Sequence, residues 1–127
     1  MIQTYFGQIK KVVDRFTDLP FVLTLRVSFE VRPGDQGYIV GEVLFTDRSR
    51  LYFREYLDVV GSAIDKVMYV YHYQTQDAQL IFRYDNARHR PPLTRREHVH
   101  RPDQVDPADA PTLQDVILEI VALQNWM

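Results

Sequence analysis

Arginines and histidines are concentrated in one part of the chain, between Arg83 and Arg101, where the acids are Asp85 and Glu97. The formal net charge of the 127 residues is only −2, so this segment is a local basic island on a mildly acidic protein. A guanidinium group pairs with phosphate oxygens, and an imidazole exchanges protons near neutral pH. The segment therefore predicts a nucleic-acid site. Its basic residues are Arg83, Arg88, His89, Arg90, Arg95, Arg96, His98, His100 and Arg101.

Histidines and arginines without an acidic ligand set suit metal-independent cleavage of RNA. One imidazole would take the proton of a ribose 2′-OH, a second group would protonate the leaving 5′-oxygen, and arginines would stabilise the phosphorane. The predicted acid–base residues are His89, His98 and His100. The predicted phosphate and substrate contacts are Arg83, Tyr84, Asn86, Arg88, Arg90, Arg95 and Arg96. These three histidines also suggest a metal site, but their spacing matches no zinc pattern and the chain has no cysteine, so neither a metal nor another cofactor is predicted.

Three further residues could orient those groups. Glu55 falls on the apolar side of an alternating strand, where a carboxylate needs a partner, and it is a candidate general base or histidine orienter. Asp85 lies two residues from Arg83 on the same side of a strand, which predicts an ion pair at a strand end. His72 lies in a tyrosine-rich strand and is a candidate orienter or a structural histidine. We expect Glu55, His72 and the basic segment to converge.

The hydrophobic pattern changes from a helical to a strand period and back. Residues 3–16 predict an amphipathic helix, and five strands are predicted between residues 21 and 84, with Gly41 as a possible bulge. Short turns favour an antiparallel meander. Residues 87–111 contain five prolines and predict a loop or arm. Thr112 to Asp115 resembles a capping box that opens a final helix. The expected fold is α+β, with both helices in one layer on a single sheet and the other face open.

Length and composition predict one domain over residues 1–127. There is no cysteine, so disulfides and thiolate metal sites are excluded. No apolar run approaches the roughly 20 residues that span a bilayer. The first residues lack the pattern of a signal peptide. We expect a cytoplasmic protein that does not enter a membrane.

Several segments resemble the TumE-type toxins of bacterial and archaeal toxin–antitoxin modules. They are Leu51-Tyr-Phe-Arg-Glu-Tyr56, Tyr71-His-Tyr-Gln74, Leu80-Ile-Phe-Arg-Tyr-Asp-Asn-Ala87 and His98-Val-His100. The sequence departs from the family pattern at Arg48, where glycine is usual, and at Arg88 and Arg90, where proline and histidine are common. The second departure removes one potential imidazole beside His89.

The resemblance implies a toxin that a small helix-turn-helix antitoxin neutralises. Toxins of such modules are commonly ribonucleases, which agrees with the basic histidine-rich segment. One alternative is a non-catalytic module whose open face and arm hold an antitoxin, a nucleic acid or a second copy in a homodimer. Another is a phosphate-modifying enzyme, but the chain lacks a glycine-rich phosphate loop.

Overall fold

The computed structural model describes residues 1–87 and 96–126. Two helices enclose a run of strands in chain order. They are α1 (Ile2–Thr17), β1 (Val22–Arg32), β2 (Gln36–Phe45), β3 (Arg50–Val60), β4 (Ala63–Gln74), β5 (Leu80–Asp85), β6 (His98–Arg101), β7 (Gln104–Pro107) and α2 (Leu113–Leu123). No helix in the described residues is long and apolar enough to cross a membrane.

Local sequence accounts for both helices. The apolar residues of α1 recur at helical spacing and are buried on one side: Ile2, Phe6, Ile9, Val13 and Phe16. The predicted capping box at the start of α2 is confirmed. Thr112 Oγ1 accepts a hydrogen bond from the Asp115 backbone N–H at 3.1 Å, and Asp115 Oδ2 accepts one from the Thr112 N–H at 3.0 Å. These two backbone N–H groups have no partner within the helix, and both are therefore hydrogen-bonded where it begins.

The strands form one antiparallel sheet in the order β1-β2-β3-β4-β5-β6-β7. The predicted meander is confirmed, but the predicted number of five strands is wrong. The two additional strands, β6 and β7, form a hairpin inside the proline-rich segment 87–111. Each has four residues, which is too short for a reliable alternating pattern, and their pairing with β5 depends on tertiary context.

Gly41 is not at a bulge, contrary to the expectation. It pairs in regular register with Val27 on β1 and Phe53 on β3. The Phe53 ring lies over it, and a Cβ at this position would come within 2.1 Å of that ring. Glycine is therefore needed here for close packing of the ring and not to shift the register.

The core lies between the helices and one face of the sheet. We call this side the covered face. It contains the tyrosine ladder Tyr69, Tyr71 and Tyr73, each no more than 1% exposed. Tyr73 accepts a hydrogen bond from Gln124 at the end of α2 (2.8 Å). The other side, which we call the open face, has neither helix on it.

Candidate active site on the open face

Three residues of the predicted site lie in one row across the open face. His72 on β4 is the register partner of Arg83 on β5, and Arg83 is the register partner of His100 on β6. Register partners in a sheet point to the same side, and neighbouring strands lie about 4.7–4.9 Å apart. The backbones of the two histidines are therefore about 10 Å apart. One guanidinium stands between two imidazoles.

A groove of about 370 Å³ leads to the His72 end of this row. Its lining continues the row through Tyr52, the register partner of His72 on β3. Arg54 adds a second cation, and Val40 and Val70 supply apolar surface. Sequence reasoning missed these four residues. Tyr52 and Arg54 lie on the side of β3 opposite its apolar residues, a pattern that indicated exposure and not a site.

Asp85 is the centre of the polar contacts at the other end of the row. The predicted ion pair with Arg83 is present, with Arg83 Nε donating to Asp85 Oδ2 at 2.8 Å. Asp85 Oδ1 accepts from the Ala87 N–H at 3.1 Å. The same oxygen lies 2.6 Å from His98 Nε2. The carboxylate is only 2% exposed, so these contacts hold it in place.

His98 and His100 meet through the ring nitrogens on the same side of β6. Their Nε2 atoms are 2.9 Å apart, and the rings are nearly perpendicular, at 79°. His98 is fully buried, and its Nδ1 lies 2.5 Å from the carbonyl oxygen of Arg96. His100 Nε2 lies 3.7 Å from Asp85 Oδ2, and its side chain is 22% exposed. Asp85, His98 and His100 thus bring potential metal-ligand atoms within 4.8 Å of one another.

His72 is half-buried at the end of the groove. Its Nε2 lies 3.0 Å from Gln74 Oε1, and its Nδ1 lies 3.5 Å from the Arg83 guanidinium. Burial lowers the pKa of His72 from its usual value; the Gln74 contact opposes this shift and the nearby Arg83 charge adds to it. His72 is therefore mainly neutral at pH 7, the form that can accept a proton.

Glu55 does not join this cluster. Its register partner is Tyr69 on the covered face, so the sheet separates it from His72, and the expected convergence of the two does not occur. Glu55 is fully buried and accepts hydrogen bonds from the hydroxyls of Tyr5 and Tyr71 (Tyr71 at 2.5 Å). The expectation that it needs a partner is met by this network.

The tyrosines around Glu55 stay protonated. Burial, with the Glu55 charge second, raises the pKa of both Tyr5 and Tyr71. Lys66 Nζ donates to the Tyr71 hydroxyl (2.7 Å) and to the Pro111 carbonyl (2.6 Å). The same burial lowers the pKa of Lys66. The network joins β3, β4, α1 and the approach to α2.

Tyr84 and Asn86 have contacts away from the open face. The Tyr84 hydroxyl donates to Glu119 on α2 at 2.6 Å, and burial raises its pKa to about 12. The Asn86 amide donates to the Val67 carbonyl (2.9 Å) and accepts from the Tyr69 N–H (3.2 Å). These contacts brace β4 and β5 against their neighbours.

The remaining predicted residues belong to the basic segment. Arg96 is exposed and contributes its backbone carbonyl to His98. Arg88, His89, Arg90 and Arg95 lie outside the described residues. Their roles stay predictions.

The fold and the site together define a small α+β protein with a cationic, imidazole-rich row on the sheet face that neither helix covers. Comparison with protein families matches residues 9–124 to the family described as Toxin TumE. This match covers most of the chain, and the protein belongs to the TumE toxin family, as the resemblance indicated. Comparisons with curated proteins and with solved structures give no match.

Proposed function

We propose that this protein is the toxin of a toxin–antitoxin module and that it cleaves RNA on the open face. The toxin component follows from the family. The cleavage is supported by one observation above all, the row in which Arg83 stands between His72 and His100 beside the groove. Two proton-exchanging groups with a guanidinium between them match the needs of phosphodiester cleavage.

In the proposed reaction, Arg83 binds the scissile phosphate and Arg54 binds a neighbouring one. His72 takes the proton of the ribose 2′-OH, whose oxygen attacks phosphorus. The bond from phosphorus to the 5′-oxygen breaks, and a group at the Asp85 end of the row protonates that oxygen. His100 is the more exposed imidazole there. The products are a 2′,3′-cyclic phosphate and a 5′-hydroxyl.

The groove also offers a surface for bases. Tyr52 is 39% exposed and its ring centroid lies 6.5 Å from that of His72. Aromatic rings that stack on bases contribute about 1–3 kcal/mol per base in single-strand binding proteins. We propose that Tyr52 stacks on a base of the RNA strand whose phosphate contacts Arg83.

The test is incubation of the purified protein with labelled RNA, with and without divalent metal. Cleavage should leave cyclic phosphate ends, and RNA with 2′-O-methyl groups should be resistant because the nucleophile is blocked. His72→Ala should lower the rate by about 100-fold or more, the usual size of an acid–base contribution. Arg83→Ala removes the proposed contact with the scissile phosphate, and Arg15→Ala, on α1, is its matched control. If the wild type cleaves no RNA under any of these conditions, the protein is not a ribonuclease.

The alternative of binding without cleavage has its own support. Val40, Tyr52 and Met68 on the open face are each 38–40% exposed, an apolar surface that a protein could cover. We propose that the partner is a helix-turn-helix antitoxin that neutralises the toxin by covering this face. Salt-dependent RNA binding without turnover, and loss of that binding when antitoxin is added, would favour the non-catalytic function.

A further inference from the structure

We propose that Asp85, His98 and His100 bind a divalent transition-metal ion. The sequence predicted no metal because the histidine spacing matches no zinc pattern, and Asp85, 13 residues before His98, was not considered as a ligand. Pairing of β5 with β6 brings them together, since Asp85 is the register partner of His98. The three ligand atoms come within 4.8 Å of one another in a part of the molecule that is largely buried.

The contact of His98 with Arg96 fixes which nitrogen can bind a metal. A carbonyl oxygen only accepts hydrogen bonds, so His98 Nδ1, at 2.5 Å from the Arg96 oxygen, carries the proton. In the neutral imidazole, Nε2 then presents a lone pair. Metal-binding histidines usually donate their other ring N–H to a carbonyl or carboxylate in this way.

His98 Nε2 faces two other potential ligand atoms. Asp85 Oδ1 is 2.6 Å away and His100 Nε2 is 2.9 Å away. A lone pair facing a carboxylate oxygen at this distance is repulsive unless a proton or a cation lies between them. A divalent ion would satisfy all three groups at once.

The distances suit a transition metal. Two ligands that are each about 2.0–2.1 Å from an ion lie about 2.9–3.4 Å apart for bond angles between octahedral and tetrahedral. His98 Nε2 lies 2.6 Å from Asp85 Oδ1 and 2.9 Å from His100 Nε2, and His100 Nε2 lies 3.7 Å from the other carboxylate oxygen, Oδ2. Each separation is within about 0.3 Å of that range, and the carboxylate presents both of its oxygens to the two imidazoles. Two imidazoles and one carboxylate favour Zn²⁺, Fe²⁺, Mn²⁺ or Co²⁺ over Mg²⁺ and Ca²⁺, which prefer oxygen ligands.

The surroundings resemble the outer shell of a metal site. Arg83 Nε and the Ala87 N–H hold the two oxygens of Asp85, which fixes the carboxylate. Three protein ligands leave a coordination position for water, as in catalytic rather than structural zinc sites. In the proposed cleavage, this water would replace His100 as the proton donor to the 5′-oxygen and become hydroxide, which solvent reprotonates.

Metal binding is tested without RNA, so its outcome is independent of the proposed cleavage. Untagged protein is stripped with a chelator and titrated with Zn²⁺ by calorimetry and with Co²⁺ by visible absorption. We expect one ion per chain, Co²⁺ ligand-field bands, and a rise in melting temperature with Zn²⁺ because the ion binds the folded state.

His100→Ala is the main variant, because His100 is the most exposed of the three ligands. It should retain the fold and lower the Co²⁺ affinity at least tenfold, and His98→Ala should do the same if it folds. His72→Ala is the control, an imidazole on the same face outside the cluster, and it should leave the affinity unchanged. Absence of binding to the wild type, or binding that His100→Ala leaves intact, would overturn the proposal. The cluster would then be a proton-linked imidazole pair.

Discussion

Glu55 and His72 illustrate how two polar residues, one on each of two paired strands, come to lie in different surroundings. Both interrupt hydrophobic strands, and both were candidates for the same site. Glu55 lies on the covered face, where two tyrosine hydroxyls donate hydrogen bonds to its carboxylate. His72 lies at the groove on the open face. A fully buried carboxylate with two hydrogen-bond donors stabilises the core, and we expect it to make no contact with substrate.

Glu55→Gln should therefore destabilise the fold without changing the chemistry. Replacing the carboxylate weakens two charge-assisted hydrogen bonds, and we expect a loss of about 1–3 kcal/mol in the free energy of unfolding, measured with urea. Glu30→Gln, which alters an exposed ion pair on β1, is the control and should cost less than about 1 kcal/mol. A tenfold loss of RNA cleavage at unchanged stability would instead place Glu55 in the reaction.

The lowered pKa of His72 leads us to expect a particular pH dependence of the proposed cleavage rate and of stability. Because the folded-state pKa lies below the usual 6.5, the neutral imidazole persists below pH 6.5. The proposed cleavage rate should therefore fall with a midpoint under pH 6.5, and the stability from this residue should decrease as pH falls through that window. The neighbouring groups are Tyr52 across β3, Gln74 along β4 and Arg83 across β5.

A ring titration of His72 by NMR measures this directly. Arg83→Gln removes a charge that lowers the pKa, so the midpoint should move upward. A midpoint above 6.5 in the wild type would contradict the assignment of His72 as the neutral base.

At the scale of elements, β4 and β5 depend on Asn86. The register of β3 with β4 shifts between Tyr56 and Leu57, which leaves Val67 as an extra residue in β4. The Asn86 amide satisfies the Val67 carbonyl and the Tyr69 N–H beside this irregularity. A bulge leaves backbone groups out of the ladder, and a buried side chain that pairs with them stabilises the shifted register.

Asn86→Ala should lower the free energy of unfolding by about 1–3 kcal/mol for each backbone group left unpaired. Asn86→Asp keeps the acceptor for Tyr69 but places a carboxylate oxygen against the Val67 carbonyl, so it should be no better. Thermal or urea unfolding checks both. Equal stability of all three proteins would mean that these hydrogen bonds do not stabilise the fold, and the prediction of Asn86 as a substrate contact would stand.

The turn between β2 and β3 contains a strained arginine. Arg48 has φ +68°, in the left-handed region that favours glycine. Asp47 Oδ1 supports the turn through the Ser49 N–H at 3.0 Å and the Ser49 hydroxyl at 2.5 Å. This is the position at which the family pattern led us to expect glycine.

Arg48→Gly should raise the free energy of unfolding by up to about 1 kcal/mol, since glycine relieves the left-handed strain but has more freedom when unfolded. Arg48→Ala removes the same side chain and keeps the strain, so it separates backbone relief from loss of charge. If both variants change stability equally, the gain does not come from the backbone.

At the scale of the molecule, the proposed binding of RNA would depend on local charge and not on net charge. A net charge of −2 gives no overall electrostatic attraction toward a polyanion. The open face supplies Arg54 and Arg83 at the groove. Each phosphate contact with a single strand contributes about −0.7 to the slope of log affinity against log salt.

Arg54→Ala and Arg83→Ala should each make that slope less steep by about 0.7, measured by anisotropy with uncleavable 2′-O-methyl RNA. Arg15→Ala, on the helix side, should leave the slope unchanged. Slopes that are equal in all four proteins would show that RNA binds elsewhere.

The elements of this protein were largely determined by local sequence. The helical spacing of α1, the capping box of α2 and the alternation of β1 to β5 depend on residues close in the chain. The Arg83–Asp85 pair was predictable for the same reason, since strand residues two apart share a face.

Tertiary structure decided how those residues combine. The hairpin of β6 and β7 is too short to be recognised locally, and its pairing with β5 makes His98 and His100 neighbours of Asp85. The sheet also separates Glu55 from His72, because a side chain's face depends on register across several strands. The sequence determined which chemical groups are present and on which strands most of them lie; pairing of distant segments decided which groups meet.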